Sequence, residues 1–383
     1  MATTLIVVGI FSLILSLYPL TFYPFSLMLL ARGKRSARPL AAMSDRPSVA
    51  ICVSAYNEEQ VIVAKAHNLL AAVEHYGPAT IHIYVDGSAD QTAALLAPFA
   101  DRIDVVVSPV RSGKTVGMRE LMKRSDSEFV VFSDANVVMP VDAIEQLVGP
   151  FRDPRVGCSS AKLEIVNAAD SPTSKIATLY WRIQESIKKF ETATIGAIGV
   201  DGALFMVRRK LYSLPPPQLI DDLYVSLKII IAGYICVSVP SLIVEERTAT
   251  HWREECDRKT RIACQALNVH KTLWSELWHR GGLSLYGYVS SRLLKWMMPF
   301  TMLAGLVFIV SGLAMMFGVA STMLYVGGFA AIFLLLAALR VAPARQILVV
   351  LSGLFGVGRG VLQSIFLGRT YTYWTPAASI RNV

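Results

Sequence analysis

The chain has 383 residues, of which 54% are hydrophobic and only 17% charged, and its mean hydropathy is +0.48. Such apolarity excludes an ordinary soluble enzyme and assigns part of the chain to lipid. The net charge of +9 does not point to nucleic acid, because much of the basic excess flanks apolar segments, where anionic lipid is the simpler explanation.

Residues 4–30 carry no charge and are long enough to cross about 30 Å of hydrocarbon as a helix. Arg32, Lys34, Arg35 and Arg38 follow at once. A cleavable signal would carry positive charge ahead of its apolar core, so residues 1–31 are predicted to be a retained anchor with its downstream side in the cytoplasm. Pro19 and Pro24 are kinks that such a helix tolerates.

From about residue 46 to 280 the texture changes. Predicted strands at 48–54, 81–85, 103–107 and 129–133 alternate with predicted helices at 58–73, 91–99 and 114–124. The alternation argues for an α/β fold with a parallel sheet covered by helices, and in such sheets ligands collect at the carboxyl ends of the strands. Three of those ends are polar: Ala55-Tyr-Asn-Glu-Glu59, Asp86-Gly-Ser-Ala-Asp90 and Asp134-Ala-Asn136. One alone reads as a turn or helix cap, as Ser88 and Asp90 do; three on one edge point to a shared site.

Farther along, Asp221 and Asp222 follow a run of prolines and open a helical pattern, where acidic residues are ordinary partners of the helix dipole. Trp252, Trp274, Trp278 and Trp296 interleave with basic residues and predict a stretch lying along the membrane surface. Apolar segments follow at 296–317, 323–339 and 347–367. Arg359 is costly in the middle of the last, which reads as a broken or re-entrant segment or the lining of a polymer path. Gly356-Val-Gly358-Arg-Gly360 reads as close helix packing or a break. The five cysteines (Cys52, Cys158, Cys236, Cys256, Cys264) show no CxxC pair or zinc spacing and are expected to be reduced packing residues, and the six histidines lack metal spacing.

The motifs AYNEE (55–59), VDGSAD (85–90), SGK (112–114), SDANVVMP (133–140), YWRIQE (180–185), DGALFMVRR (201–209), DDLYVSL (221–227) and RKTRI (258–262) keep one order along the chain. Together they resemble the family 2 glycosyltransferases, in particular the processive membrane enzymes related to hyaluronan, chitin and cellulose synthases, over about residues 49–265. The resemblance implies a GT-A (Rossmann-like) domain at 46–250 that binds a nucleotide sugar, with Mg²⁺ or Mn²⁺ bridging its diphosphate. It also implies an interfacial stretch at 251–292 and a transmembrane region with a tail at 293–383.

By the motif frame, Asp134 would be the anionic metal ligand, and Asn136 stands where the family often has a second aspartate. Asp86 resembles the nucleoside-contacting residue, Tyr56 and Glu58 sit where base and ribose are held, and Lys114 resembles the basic residue near the nucleotide. Asp222 falls at the catalytic base, which takes the acceptor hydroxyl's proton, with Asp221 supporting it. Arg261 keeps a diphosphate-facing role suited to a guanidinium fork, while Arg258 replaces the family's glutamine and Ile262 its acceptor-stacking tryptophan. Gly202 would let backbone approach the acceptor; Tyr180 and Trp181 read as acceptor-path or core residues, and Arg208 and Arg209 as an interfacial basic patch.

The implied function is inverting transfer from a UDP-sugar to a growing polysaccharide or lipid-linked glycan, at a bacterial-type inner membrane with the domain in the cytoplasm. Partner subunits of a polysaccharide export system are among the implied partners, and nucleic acid is not. A single addition to a polyprenyl-phosphate or other lipid acceptor is the alternative. Gly113-Lys114-Thr115 invites a P-loop reading, but the position of that motif's first glycine is Ser108. A catalytically silent membrane partner is opposed by the joint presence of Asp86, Asp134, Asp222 and Arg261. With three spans after the domain the C-terminus lies outside, although Tyr373-Trp-Thr-Pro and Arg381 resemble a tail that the family keeps inside.

Overall fold

The structure, a computed structural model, describes residues 1–32, 46–373 and 379. Lys34, Arg35, Arg38, Trp374, Thr375, Pro376 and Arg381, used in the topology reading above, lie outside the described residues. The strands are β1 (Val49–Ala55), β2 (Ala79–Asp86), β3 (Asp104–Ser108), β4 (Phe129–Asp134), β5 (Val156–Ile165), β6 (Leu204–Arg208) and β7 (Ile235–Glu246). The helices are α1 (Ala2–Leu17), α2 (Phe22–Ala31), α3 (Ile62–Tyr76), α4 (Thr92–Leu96), α5 (Lys114–Met122), α6 (Ala143–Val148), α7 (Pro172–Thr194), α8 (Asp221–Ile231), α9 (Trp252–Arg280), α10 (Gly282–Tyr288), α11 (Leu294–Phe317), α12 (Val319–Ala338) and α13 (Ala342–Leu367).

One seven-stranded sheet has the order β3-β2-β1-β4-β6-β5-β7. β1 pairs parallel with β2 and β4, and β2 with β3, whereas β6 is antiparallel to both neighbours. Strands buried on both faces read as apolar runs, not alternating ones, which is why Val49-Ala-Ile-Cys-Val and Phe129-Val-Val-Phe have no polar face. Ile51, Val53, Phe129 and Val131 pack into one core with Ile62, Leu69, Ile144 and Leu147 of α3 and α6. Cys52, Val130 and Phe132 face the other core, with Met118 and Leu121 of α5 and Leu227 of α8. All five cysteines are free and buried.

The predicted anchor is two helices: α1 ends in a 3₁₀ turn over Tyr18–Leu20, where Pro19 interrupts the helix, and α2 follows. Four segments, Ala2–Leu20, Gly282–Phe317, Val319–Ala338 and Ala342–Leu367, are long and apolar enough to cross a membrane. α1 runs antiparallel along α11 on small residues: a Cβ added at Gly9 would meet Gly305 O at 2.7 Å, and one at Gly312 would meet Ala2 O at 2.9 Å. α13 is one continuous helix, so the predicted break at Arg359 is absent. Arg359 Nη1 instead donates to Asp257 Oδ1 of α9 at 3.1 Å. The glycine run is the α9–α13 seam, where a Cβ at Gly356 would stand 2.6 Å from Cys256 O and one at Gly360 2.2 Å from Thr260 O.

Candidate active site

Because β1, β2 and β4 are parallel and in register, with Ser54 opposite both Tyr84 and Asp134, their polar ends share one rim. There the loops after β1 and β2 knit together. Asn57, at φ +53°, donates its N–H to Ser88 Oγ and accepts the Ala89 N–H, while Glu58 N–H goes to Thr92 Oγ1 and Glu59 N–H to Asp90. Ser88 and Asp90 therefore do turn and cap work, as read from the sequence. Tyr56 and Glu58 are half-buried on this loop, and the Arg111 guanidinium lies 3.6 Å from the Tyr56 ring centre and 4.9 Å from that of Tyr373.

Asp86 is 3% exposed, and its two oxygens accept the N–H groups of Ser112 (2.7 Å) and Gly113 (2.8 Å). Gly113, at φ +96°, then starts α5 and delivers Lys114 to the rim. Lys114 Nζ donates to Asp134 Oδ1 at 2.7 Å and lies 3.3 Å from Asp221 Oδ2. A carboxylate at the end of β4 and one at the start of α8, far apart in sequence, thus converge on one cation. Burial alone would lower the Lys114 pKa, but Asp134 and then Asp221 outweigh it and raise it.

Asp222 lies beside this pair. A Cβ on Gly202 would stand 3.2 Å from Asp222 Oδ2 and 3.6 Å from Lys114 Nζ, so Gly202 lies directly against both groups. Asp222 Oδ1 accepts its neighbour Leu223 N–H at 2.5 Å. Burial first, and then Asp221, push the Asp222 carboxyl up to about 7 against the opposing pull of Lys114. Arg261, on α9, donates to Gln265 Oε1 at 3.0 Å; burial and Arg258 bring it down to about 10, opposed by Asp222 and Asp221. Of the predicted residues, Asp134, Lys114, Asp221, Asp222, Gly202 and Arg261 form one cluster. Arg258 makes a two-bond pair with Glu255 (2.9 and 3.2 Å), and Asn136 is exposed.

A metal at Asp134 is compatible with these donors. Asp134 is about a third exposed (36% of its side chain) at the rim, and Asp221 faces it across a positive charge. Among the described residues, no group of three or more His, Cys, Asp or Glu could hold a metal ion unaided. A hard cation here would take one or two carboxylates and complete its shell from phosphate oxygens and water, its usual habit with nucleotides.

The structure also brings in residues that the sequence reading passed over. Lys65, 2% exposed on α3, donates to Ser133 Oγ (2.8 Å) and Val137 O (2.5 Å), and Asn68 exchanges two hydrogen bonds with Met139, so α3 clamps the 134–139 loop from beneath. Lys65 sat in plain view as a lysine on the core face of an amphipathic helix, between Ile62 and Leu69. Glu246, at the end of β7, is pushed up to about 7 by burial and then by Asp134. Tyr371 and Arg369 cross the site's edge, with their carbonyls accepting from Gln265 (2.9 Å) and Asn268 (2.9 Å). Arg208 is no interfacial patch: it donates to Phe151 O and Val156 O and stacks over Phe129 and Phe151, at the opposite end of β4 from Asp134.

The family model "Glycosyl transferase family 2" matches residues 50–214. An "N-acetylglucosaminyltransferase" of Rhizobium leguminosarum bv. viciae is 23% identical over 248 residues, 58% of this chain and 58% of that protein. A "Beta-monoglucosyldiacylglycerol synthase" of Trichormus variabilis is 29% identical over 130 residues, covering 33% of this chain and 28% of that one. The chain thus spans a little over half the length of the first of these relatives and less of the second. The solved structure of mannosyltransferase PcManGT from Pyrobaculum calidifontis, in complex with GDP-Man and Mn²⁺, superposes with a TM-score of 0.66 over 95% of this chain and 100% of that one, at 16% identity. Residues 50–214 thus match the glycosyltransferase family 2 model, and the chain's fold is of the GT-A type.

Proposed function

We propose that the chain is an inverting transferase that moves a sugar from a UDP-sugar to the hydroxyl of a glycan or lipid-linked acceptor at a membrane surface. The observation that carries this reading is the convergence of Asp134, Lys114, Asp221 and Asp222 at one rim. Lys114 and Arg261 supply positive charge for a diphosphate leaving group, and Tyr56 and Glu58 stand beside the loop that would receive the nucleoside. Asp222 takes the acceptor's proton: a buried carboxylate poised near 7 is a far better base than one at its ordinary value. Asp221, at the same helix start, keeps Lys114 turned to the rim. Asp134, with Asn136 near it, would hold Mg²⁺ or Mn²⁺, whose chemistry when bound is to neutralise the departing diphosphate. The Mn²⁺ and GDP-Man in the mannosyltransferase of like fold support a divalent ion and a nucleotide-sugar donor.

In this reading the apolar helices hold the domain in a plasma membrane with the site on the cytoplasmic side. Ile262 replaces the aromatic platform on which a growing polymer would stack, which leaves the chain's own evidence stronger for transfer than for repeated addition. The test is a screen of nucleotide sugars for diphosphate release by the purified chain, with and without Mn²⁺ and with Asp222→Asn alongside. Metal-dependent release that the variant loses is the expected result; full turnover by the variant would remove Asp222 from the reaction.

A further inference from the structure

Gly202 lies beside Asp222, its neighbour Asp201 acts electrostatically on Tyr180 of α7, and side chains from α9 and α11 both reach that ring. There the Tyr180 ring is flanked by two ammonium groups, Lys259 Nζ of α9 at 5.3 Å and Lys295 Nζ of α11 at 5.9 Å from its centre. The carboxylates around this junction are already engaged. Glu185 and Asp201 pair with Lys188; Glu255 pairs with Arg258 and, at 3.7 Å, with Lys259; Glu191 accepts from Tyr23 Oη and Ile198 N. Lys295 is left with the neutral Gln184 Oε1 (2.9 Å), and Arg292, one turn earlier, with the carbonyl of Ile198. No carboxylate among the described residues lies within ion-pair distance of either. Burial holds the Lys259 ammonium below its ordinary value against the opposing pull of Glu255, with Arg258 adding to the lowering.

Lys295 and Arg292 have no counter-charge, and Lys259 shares the single carboxylate of Glu255 with Arg258, so an anion placed among them would offset the cost of burying their charge. Glycan hydroxyls do not do so; a phosphate does, with charge-assisted bonds to several nitrogens at once. The junction also fixes where the anion comes from. α11 begins here and continues as an apolar helix whose exposed surface includes Leu303, Leu306 and Val307. A ligand reaching this junction along α11 arrives from lipid, with its headgroup at the level of Lys295.

We propose that Lys259 and Lys295, both beside Tyr180, seat the phosphate of a phosphate-bearing lipid that carries the acceptor hydroxyl to Asp222. This rests on the transferase reading above and narrows its acceptor to a polyprenyl-type phosphate carrier. The test uses the full chain in nanodiscs and four probes: a long-chain polyprenyl monophosphate, the same polyprenol without phosphate, phosphatidylglycerol and inorganic phosphate. The monophosphate is expected to bind at least about 10-fold more tightly than the alcohol, a difference of about 1.4 kcal/mol. Lys295→Gln should remove that difference and Lys295→Arg retain it, while both variants still bind UDP.

Equal binding of alcohol and monophosphate overturns the proposal. Equal competition by phosphatidylglycerol makes the cluster a bulk-lipid anchor, and equal competition by inorganic phosphate makes it a free-anion site; either result also overturns it. Should Lys295→Gln lose UDP binding as well, the comparison of the four probes on the unaltered chain decides alone. Absence of UDP binding by the unaltered chain would instead count against the transferase reading, whatever the lipid arms show.

Discussion

Asp222 shows what position in the fold does to an ordinary side chain. In sequence it is one of two acids at a helix start, where dipole pairing is a complete explanation. Folded, it is buried beside Asp221 and held up to about 7. In the proposed reaction its ionised form is the base, so turnover should rise with pH until about 7 and then level, and Asp222→Asn should lose about 10²–10⁴-fold in kcat. A pH–rate profile of the unaltered chain with no inflection between 6 and 8 would contradict that role. Lys65 has the opposite sign: burial takes its ammonium down to about 7, against which Asp134 pulls weakly. An unfolded chain keeps that proton until about 10.4, so it binds more protons than the folded chain between the two values, and stability should rise with pH across that window. Lys65→Met should abolish this slope in thermal melts and, by freeing Val137 O, weaken donor binding about 10-fold. A variant with the same slope would show that Lys65 does not titrate there. Asp134, Asp222 and Arg261 were legible because ordered motifs carry them; Lys65 and Glu246 were not, because their importance comes from tertiary neighbours that no local pattern encodes.

At the scale of elements, the strands were legible for a specific physical reason. β1 and β4 are central and buried on both faces, so their apolar runs are short, continuous and bounded by turn residues, and their predicted and observed limits differ by one residue at each end that moved. The helices were less so. α3 starts at Ile62 and not at 58, because Val61, at φ −120° and ψ −17°, is still outside helical backbone. α13 is the larger departure: Arg359 argued for a break, whereas a partner on α9 removes the cost and the helix runs on. The α9–α13 seam then depends on two glycines. A side chain at Gly360 would enter the space of Thr260 O, and at Gly356 that of Cys256 O. Gly360→Leu should separate the helices and cost about 1–3 kcal/mol, read as a lowered Tm. Because Gln265 and Asn268 on the same stretch of α9 hold the segment after α13, donor affinity should fall with it, while Gly327→Leu, on α12 with nothing near its Cβ, should change neither.

At the scale of the whole molecule, charge, packing and the position of the tail all bear on how many helices cross the bilayer. α11 leaves the domain at Arg292 and Lys295, and its far end lies by the N-terminus of α1, since Gly312 touches Ala2. α12 starts there and returns over a span's length, so α13 begins on the domain's side. From that side α13 does not leave. Gly353, Gly356 and Gly360 track Lys259, Cys256 and Thr260 along α9, Lys271 reaches Ser364 O, and Thr372 O lies against Gly113 at the rim of the candidate site. Its opposite face, Leu348, Leu351, Phe355, Leu362 and Phe366, is exposed and apolar, the pattern of a helix lying in the interface. α13 should therefore rest along the membrane surface, with α11 and α12 the two crossings after the domain, which puts the tail on the domain's side and removes the conflict met when three spans are counted. The five native cysteines are buried, so single cysteines can be introduced against a low background. Thr370→Cys should react with an impermeant maleimide from the same side of sealed vesicles as Asp101→Cys in the domain, and Ala320→Cys from the other. Labelling of Thr370→Cys together with Ala320→Cys would mean that α13 crosses the bilayer, and the contact between the tail and the Gly113 loop could not then exist in the membrane.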